Sequence, residues 1–150
     1  MQRTSDSRAA EWVVIKYWLP LTLWVIAMVT ATSIPGDQIP TLPVPGLDKV
    51  VHALLYGGLA FLLQRWLRGG LRRPPARPLL LAATVCGIYA VLDELHQLAI
   101  PRRTFSFGDL AADAMGIGIG LAVAAAIVAQ RRKAAKAVAV GGVSAGRVDG

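Results

Sequence analysis

Apolar positions gather into four long runs separated by short polar stretches. The runs cover 13–34, 48–67, 79–98 and 107–129. A bilayer hydrocarbon core about 30 Å thick needs about 20 helical residues at about 1.5 Å each. Every run is long enough, so the pattern predicts four membrane-spanning helices. The breaks between runs are equally readable. Segment 35–47, PGDQIPTLPVPGL, holds four prolines and two glycines and forbids a regular helix. Asp48 then stands where an N-cap would open the second span. Segment 65–78 is a basic loop, RWLRGGLRRPPARP, and 100–104 is a tight turn before Ser106, a candidate cap for the fourth span. Residues 1–12 form a polar N-terminal segment, and the basic tail 130–150 is expected to be disordered.

Composition agrees with a lipid environment. Hydrophobic residues make up 55% of the 150 and charged residues only 17%, against about 25% in ordinary soluble domains. A net charge of +7 on a soluble fold would suggest nucleic acid. Here the cations flank the apolar runs instead, so no nucleic-acid partner is expected. Arg3, Arg8 and Lys16 precede or enter span one, five arginines lie between spans two and three, and Arg131, Arg132, Lys133 and Lys136 follow span four. The other two connections carry only Lys49, Arg102 and Arg103. By the positive-inside rule both termini are cytoplasmic and loops 35–47 and 99–106 face outward. The fold expected is an all-α membrane protein, four transmembrane helices in one antiparallel bundle. A cleaved signal peptide is the rival reading of 13–34, with Val29-Thr30-Ala31 as cleavage site; retention is expected, because the run is long and the other spans need a neighbour. The single cysteine, Cys86, lies in mid-span and reads as a buried inert thiol.

Against this apolar background the polar residues of the spans stand out. Asp48, His52 and Tyr56 recur every fourth residue and share one stripe of span two. Asp93, Glu94 and Gln97 close span three, and Asp109, Asp113 and Gly116 open span four. Alternating helix direction puts all of them within about three turns of the outer face. A charged group deep in a span costs roughly several kcal/mol unless paired or solvated. Three helices placing such groups in one layer therefore predict a shared polar pocket of Asp48, His52, Tyr56, Asp93, Glu94, Gln97, Arg103, Asp109 and Asp113. Adjacent Asp93 and Glu94 point about 100° apart and cannot both face one point. Arg103 would neutralise a carboxylate or bind an anion. His96 lies outside the stripe as a headgroup-level residue, and Gly116, Gly118 and Gly120 read as a helix-packing series, not a phosphate loop.

The same residues resemble the VanZ-like family of bacterial membrane proteins. The resemblance rests on Asp48-Lys49-x-x-His52 with Tyr56, then Asp93-Glu94-x-x-Gln97, Pro101, Arg103, Asp109 and Gly116. It covers about 70 motif-bearing residues, and span number and order agree. Two positions depart from the pattern. Arg102 stands where the family usually has Gly, and Asp113 where it usually has Asn. The family takes its name from an accessory protein of teicoplanin resistance. The resemblance therefore implies a cell-envelope role in the bacterial plasma membrane and leaves the molecular mechanism open.

Three functions follow. The first is an outward pocket that binds a lipid headgroup or a lipid-linked cell-wall precursor. The second is a membrane enzyme in which His52 works with Asp93 or Glu94 as acid and base. A divalent metal on His52, Asp109 and Asp113 is conceivable in it, but one His among carboxylates is a loose ligand set, so no metal or cofactor is expected. The third is a small transporter, disfavoured because the polar path is expected to stop short of the inner leaflet.

Overall fold

A computed structural model describes residues 11–38 and 45–145. Four helices account for nearly all of them: α1 (Glu11–Thr32), α2 (Leu47–Gly69), α3 (Pro78–Gln97) and α4 (Phe107–Ala145). All four are long and apolar enough to cross a membrane, and no strand occurs among the described residues. The fold class read from the hydropathy pattern is therefore the one observed. Large apolar side chains such as Leu54, Ile88, Leu92, Met115 and Ile119 point outward. In a membrane protein these form the face presented to lipid.

Helix ends sit close to the expected ones, with two differences. Gly46, not Asp48, is the N-cap of α2, with a left-handed φ of 77°. A left-handed backbone favours glycine, so Asp48 falls into the first turn, where its charge meets the helix dipole favourably. The second difference is larger. The fourth helix does not end at 129 but runs on to Ala145, through the first part of the tail expected to be disordered. Between Gly120 and Gly141 the chain contains no glycine or proline and is rich in Ala, Lys and Arg, all good helix formers. At about 1.5 Å per residue the helix outruns a bilayer core of about 30 Å. Ser106 caps its start as expected, its Oγ accepting from the Asp109 backbone N–H at 3.2 Å. Residues 39–44 of the proline-rich loop, residues 1–10 and residues 146–150 lie outside the description.

The bundle is built on α2 and α4, which share much the largest helix interface. Small residues make this possible. A Cβ on Gly116 would collide with the Ala53 carbonyl, and one on Gly120 with the Gly57 carbonyl. The two contacts are four residues apart on each helix, so the backbones touch along a full turn. Gly118 faces open space and is not part of this seam. Helix α3 packs on both partners, and α1 lies at the edge. Only Met28 and Thr32 of α1 are buried within its α-helical part. The Trp24 indole N–H donates to the Leu55 carbonyl at 2.9 Å and holds α1 against α2. Between the two ends of the bundle lies an apolar layer of Met28, Tyr56, Leu59, Ala60, Cys86, Ala90 and Ile117. Cys86 is fully buried there, as expected.

The loops after α1 and α3 meet at one end. The Gly36 N–H donates to the Pro101 carbonyl at 3.0 Å, and Arg103 Nε donates to the Ile34 carbonyl at 3.2 Å. Arg102 and Asp37 add an ion pair at 3.4 Å.

Candidate functional site

Close contact of Ala53 with Gly116 decides which polar groups meet. His52 precedes that contact on α2, and Asp113 sits about one turn earlier on α4. His52 Nδ1 lies 3.0 Å from Asp113 Oδ1. One turn deeper, the Tyr56 hydroxyl donates to Asp93 Oδ2 of α3 at 3.1 Å. Glu94 turns to another side of α3. Its Oε2 accepts from the Ser106 backbone N–H at 2.9 Å, and its Oε1 accepts from Gln97 Nε2 at 3.4 Å. Both neighbouring acids are thus accommodated by different partners, as their angular separation requires. His52, Tyr56, Asp93, Glu94, Gln97 and Asp113 are all buried.

Asp109 joins the group from the rim. Lys49 Nζ bridges Asp48 at 2.9 Å and Asp109 at 3.3 Å. Asp48 is exposed and does not enter the buried layer. Arg103 also stays outside it, because its guanidinium fastens the α3–α4 turn to the end of α1. Of the nine residues expected to share a pocket, six are buried together, Asp109 sits at their edge, and Asp48 and Arg103 serve the surrounding surface.

Three of these groups approach one another closely enough to share a ligand. One donor atom each from His52, Glu94 and Asp109 lies within 4.8 Å of the other two. Two carboxylates and an imidazole suit a borderline or hard divalent cation. Asp113 Oδ1 meets the imidazole at Nδ1; with Nε2 as the ligand atom, Asp113 would orient the ring as a carboxylate fixes a metal-bound histidine. Its second oxygen, Oδ2, is buried with no hydrogen-bond partner. Glu94 replaces Asp113 in the ligand set conceivable from sequence, and Asp113 moves to a supporting position.

Several participants escape residue-by-residue reading. Lys49 lies inside the Asp48-Lys49-x-x-His52 motif, and its span-edge position hides its link to Asp109. The Ser106 N–H is a backbone group with no side-chain signal. Tyr89 packs against Tyr56 with ring centroids 6.1 Å apart. Gln64 is the clearest omission. It continues the every-fourth-residue stripe two turns beyond Tyr56 and is only 1% exposed. The polar stripe therefore reaches further along α2 than expected, although Ala60 and the apolar layer separate Gln64 from the acid cluster.

The chain matches the model of a known family. The model of the VanZ/LLP1 family matches residues 3–129, which takes in all four apolar runs and every residue of the site. No curated protein matches, and no solved structure matches.

Proposed function

Because the chain belongs to the VanZ/LLP1 family and is a multi-pass membrane protein, we propose that its acid–histidine layer receives the polar head of an envelope lipid or lipid-linked cell-wall precursor. The layer carries more acids than bases, so a bare phosphate would be repelled. A divalent cation held by His52, Glu94 and Asp109 would neutralise the two carboxylates that hold it and would supply the positive charge a phosphate oxygen needs there. The convergence of those three donor groups within 4.8 Å carries this reading. The distribution of Lys and Arg supports an orientation with both termini in the cytoplasm of a bacterial cell and the site near the outer face. Lys49, which bridges Asp48 and Asp109 at the rim, would meet the remaining negative charge of a headgroup by giving up one of those carboxylates.

Lipid retention tests it. The protein is purified with lipid from a bacterial envelope extract and examined by native mass spectrometry with magnesium or with a chelator. Retained phospholipid or polyprenyl-phosphate lipid should fall on chelation and in Glu94→Gln. Equal retention in all three conditions would contradict the reading.

A second reading, hydrolysis at the same lipid phosphate, is favoured by the His52–Asp113 pair, which holds an imidazole ready for proton transfer. Release of phosphate from a polyprenyl diphosphate, abolished in His52→Ala, would support it, and retention without turnover leaves the binding role. A contribution to teicoplanin tolerance is the finer form of either reading and would show as a changed inhibitory concentration on deletion.

A further inference from the structure

At the opposite end of the bundle from the acid cluster lies a cavity of about 270 Å³. Tyr17 of α1, Gln64, Arg65 and Arg68 of α2 and Arg131 of α4 line it, with apolar side chains between them. It is below the roughly 300–1,000 Å³ of pockets that hold drug-sized ligands. A small anion or a single headgroup is the appropriate scale.

Its chemistry is one-sided. Three guanidinium groups, Arg65, Arg68 and Arg131, line the cavity and no carboxylate does. The ion pairs among the described residues involve none of the three. Two donors are also left over. Gln64 is 1% exposed, yet its Nε2 has no acceptor, and Arg68 Nε is buried without one. Buried donors are nearly always satisfied in folded proteins, and each orphan implies a missing partner. A neutral amide and a guanidinium both ask for an oxygen acceptor, and the surplus positive charge asks for an anionic one.

The cavity is also shaped for that guest. The Arg65 guanidinium lies over the Tyr17 ring at 5.5 Å, which holds it at the cavity wall. Tyr17 itself packs against Gly69, where a Cβ would collide with its ring. Continuation of α4 beyond residue 129 is what carries Arg131 to the rim. Phe61, Ala124, Ile127 and Val128 give the remaining wall an apolar character that suits the acyl side of a lipid.

We propose that this cavity is an anion site, distinct from the acid cluster, that binds the phosphate of an anionic membrane phospholipid through Gln64, Arg68, Arg65 and Arg131. Guanidinium groups match phosphate bidentately, and basic clefts between spans on the positively flanked side of a membrane suit such headgroups. Nothing in this proposal depends on the cation at His52, so the two sites fail or stand separately.

The test uses the full chain in a neutral detergent. Dioleoylphosphatidylglycerol, dioleoylphosphatidylcholine and inorganic phosphate are titrated in turn, with thermal stabilisation and tryptophan fluorescence as readouts. Phosphatidylglycerol should bind and stabilise, and phosphatidylcholine should bind at least about tenfold more weakly. Arg68→Gln should remove that preference, and exposed Arg131→Gln, which leaves the helix core untouched, should reduce it in the same direction. Chelation should leave it unchanged. Equal affinity for the two lipids in the wild-type protein would overturn the proposal without any variant. Binding of inorganic phosphate as tight as that of phosphatidylglycerol would assign the free anion and overturn the lipid. An unchanged preference in both variants would overturn the assignment to these arginines.

Discussion

His52 is held by the residue that departs from the family pattern. Asp113 stands where Asn is usual, and its Oδ1 takes the His52 ring nitrogen at 3.0 Å. An Asn there could still accept that bond, so Asp113→Asn should fold and keep the imidazole in place. Asp113→Ala should leave the ring unanchored and weaken manganese binding about 10- to 100-fold, the usual range for loss of a supporting carboxylate. Isothermal titration on the two variants separates these outcomes; equal losses would show that charge, not orientation, is what Asp113 supplies. The other departure has a backbone reason. Arg102 has a φ of 59°, the left-handed region that glycine occupies freely. A left-handed L-residue costs about 1–2 kcal/mol, and the exposed pair with Asp37 returns at most about 1 kcal/mol. Arg102→Gly should therefore be tolerated, while the β-branched Arg102→Val should lower the thermal midpoint. A Val variant as stable as wild type would argue against the left-handed turn.

The α2–α4 seam is the element on which the site depends. Ala53 and Gly57 meet Gly116 and Gly120 backbone to backbone. Gly116→Val must push the helices apart, an overpacking that typically costs about 1–3 kcal/mol. His52 and Asp113 lie at this seam, so the same change should abolish cation binding. Gly118→Ala meets open space and should leave both stability and binding near wild type. Thermal unfolding and titration of this pair check it, and a Gly118→Ala protein as damaged as Gly116→Val would refute the seam. Sequence reading recognised the glycine series but could not assign its members, because period alone does not say which residue faces the partner backbone. The extent of α4 is not marked by hydropathy: beyond 129 the chain is basic and poor in large apolar residues, yet its Ala, Lys and Arg propensities sustain a helix.

At the scale of the molecule, hydropathy and loop composition place four helices, with every end except the last of α4 within a few residues. They also placed the three polar stripes in one layer. What they could not supply were side-chain directions. Arg103 and Asp48 belong to the right layer by depth but turn to a loop carbonyl and to Lys49. Glu94, by contrast, turns inward and joins His52 and Asp109. The four spans also fix a topological consequence: the loops after α1 and α3 share one membrane side and the α2–α3 loop the other. Cysteines placed at Asp37 and Thr104 should react with an impermeant thiol reagent in intact cells, and one at Arg73 only after permeabilisation. Native Cys86 is buried and should stay silent. Reversal of that pattern would place the acid cluster at the cytoplasmic face and remove it from outward envelope substrates.

The cation site proposed at the acid–histidine layer is tested directly by spin-echo electron resonance of added manganese. The chain contains only two histidines, and His96 is exposed on α3 and is not among the converging donors. The manganese spectrum of the wild-type protein in nanodiscs should carry a directly coordinated imidazole nitrogen. That coupling should persist in His96→Gln and vanish in His52→Gln. A manganese signal without nitrogen coupling, or one lost only with His96, would contradict the site.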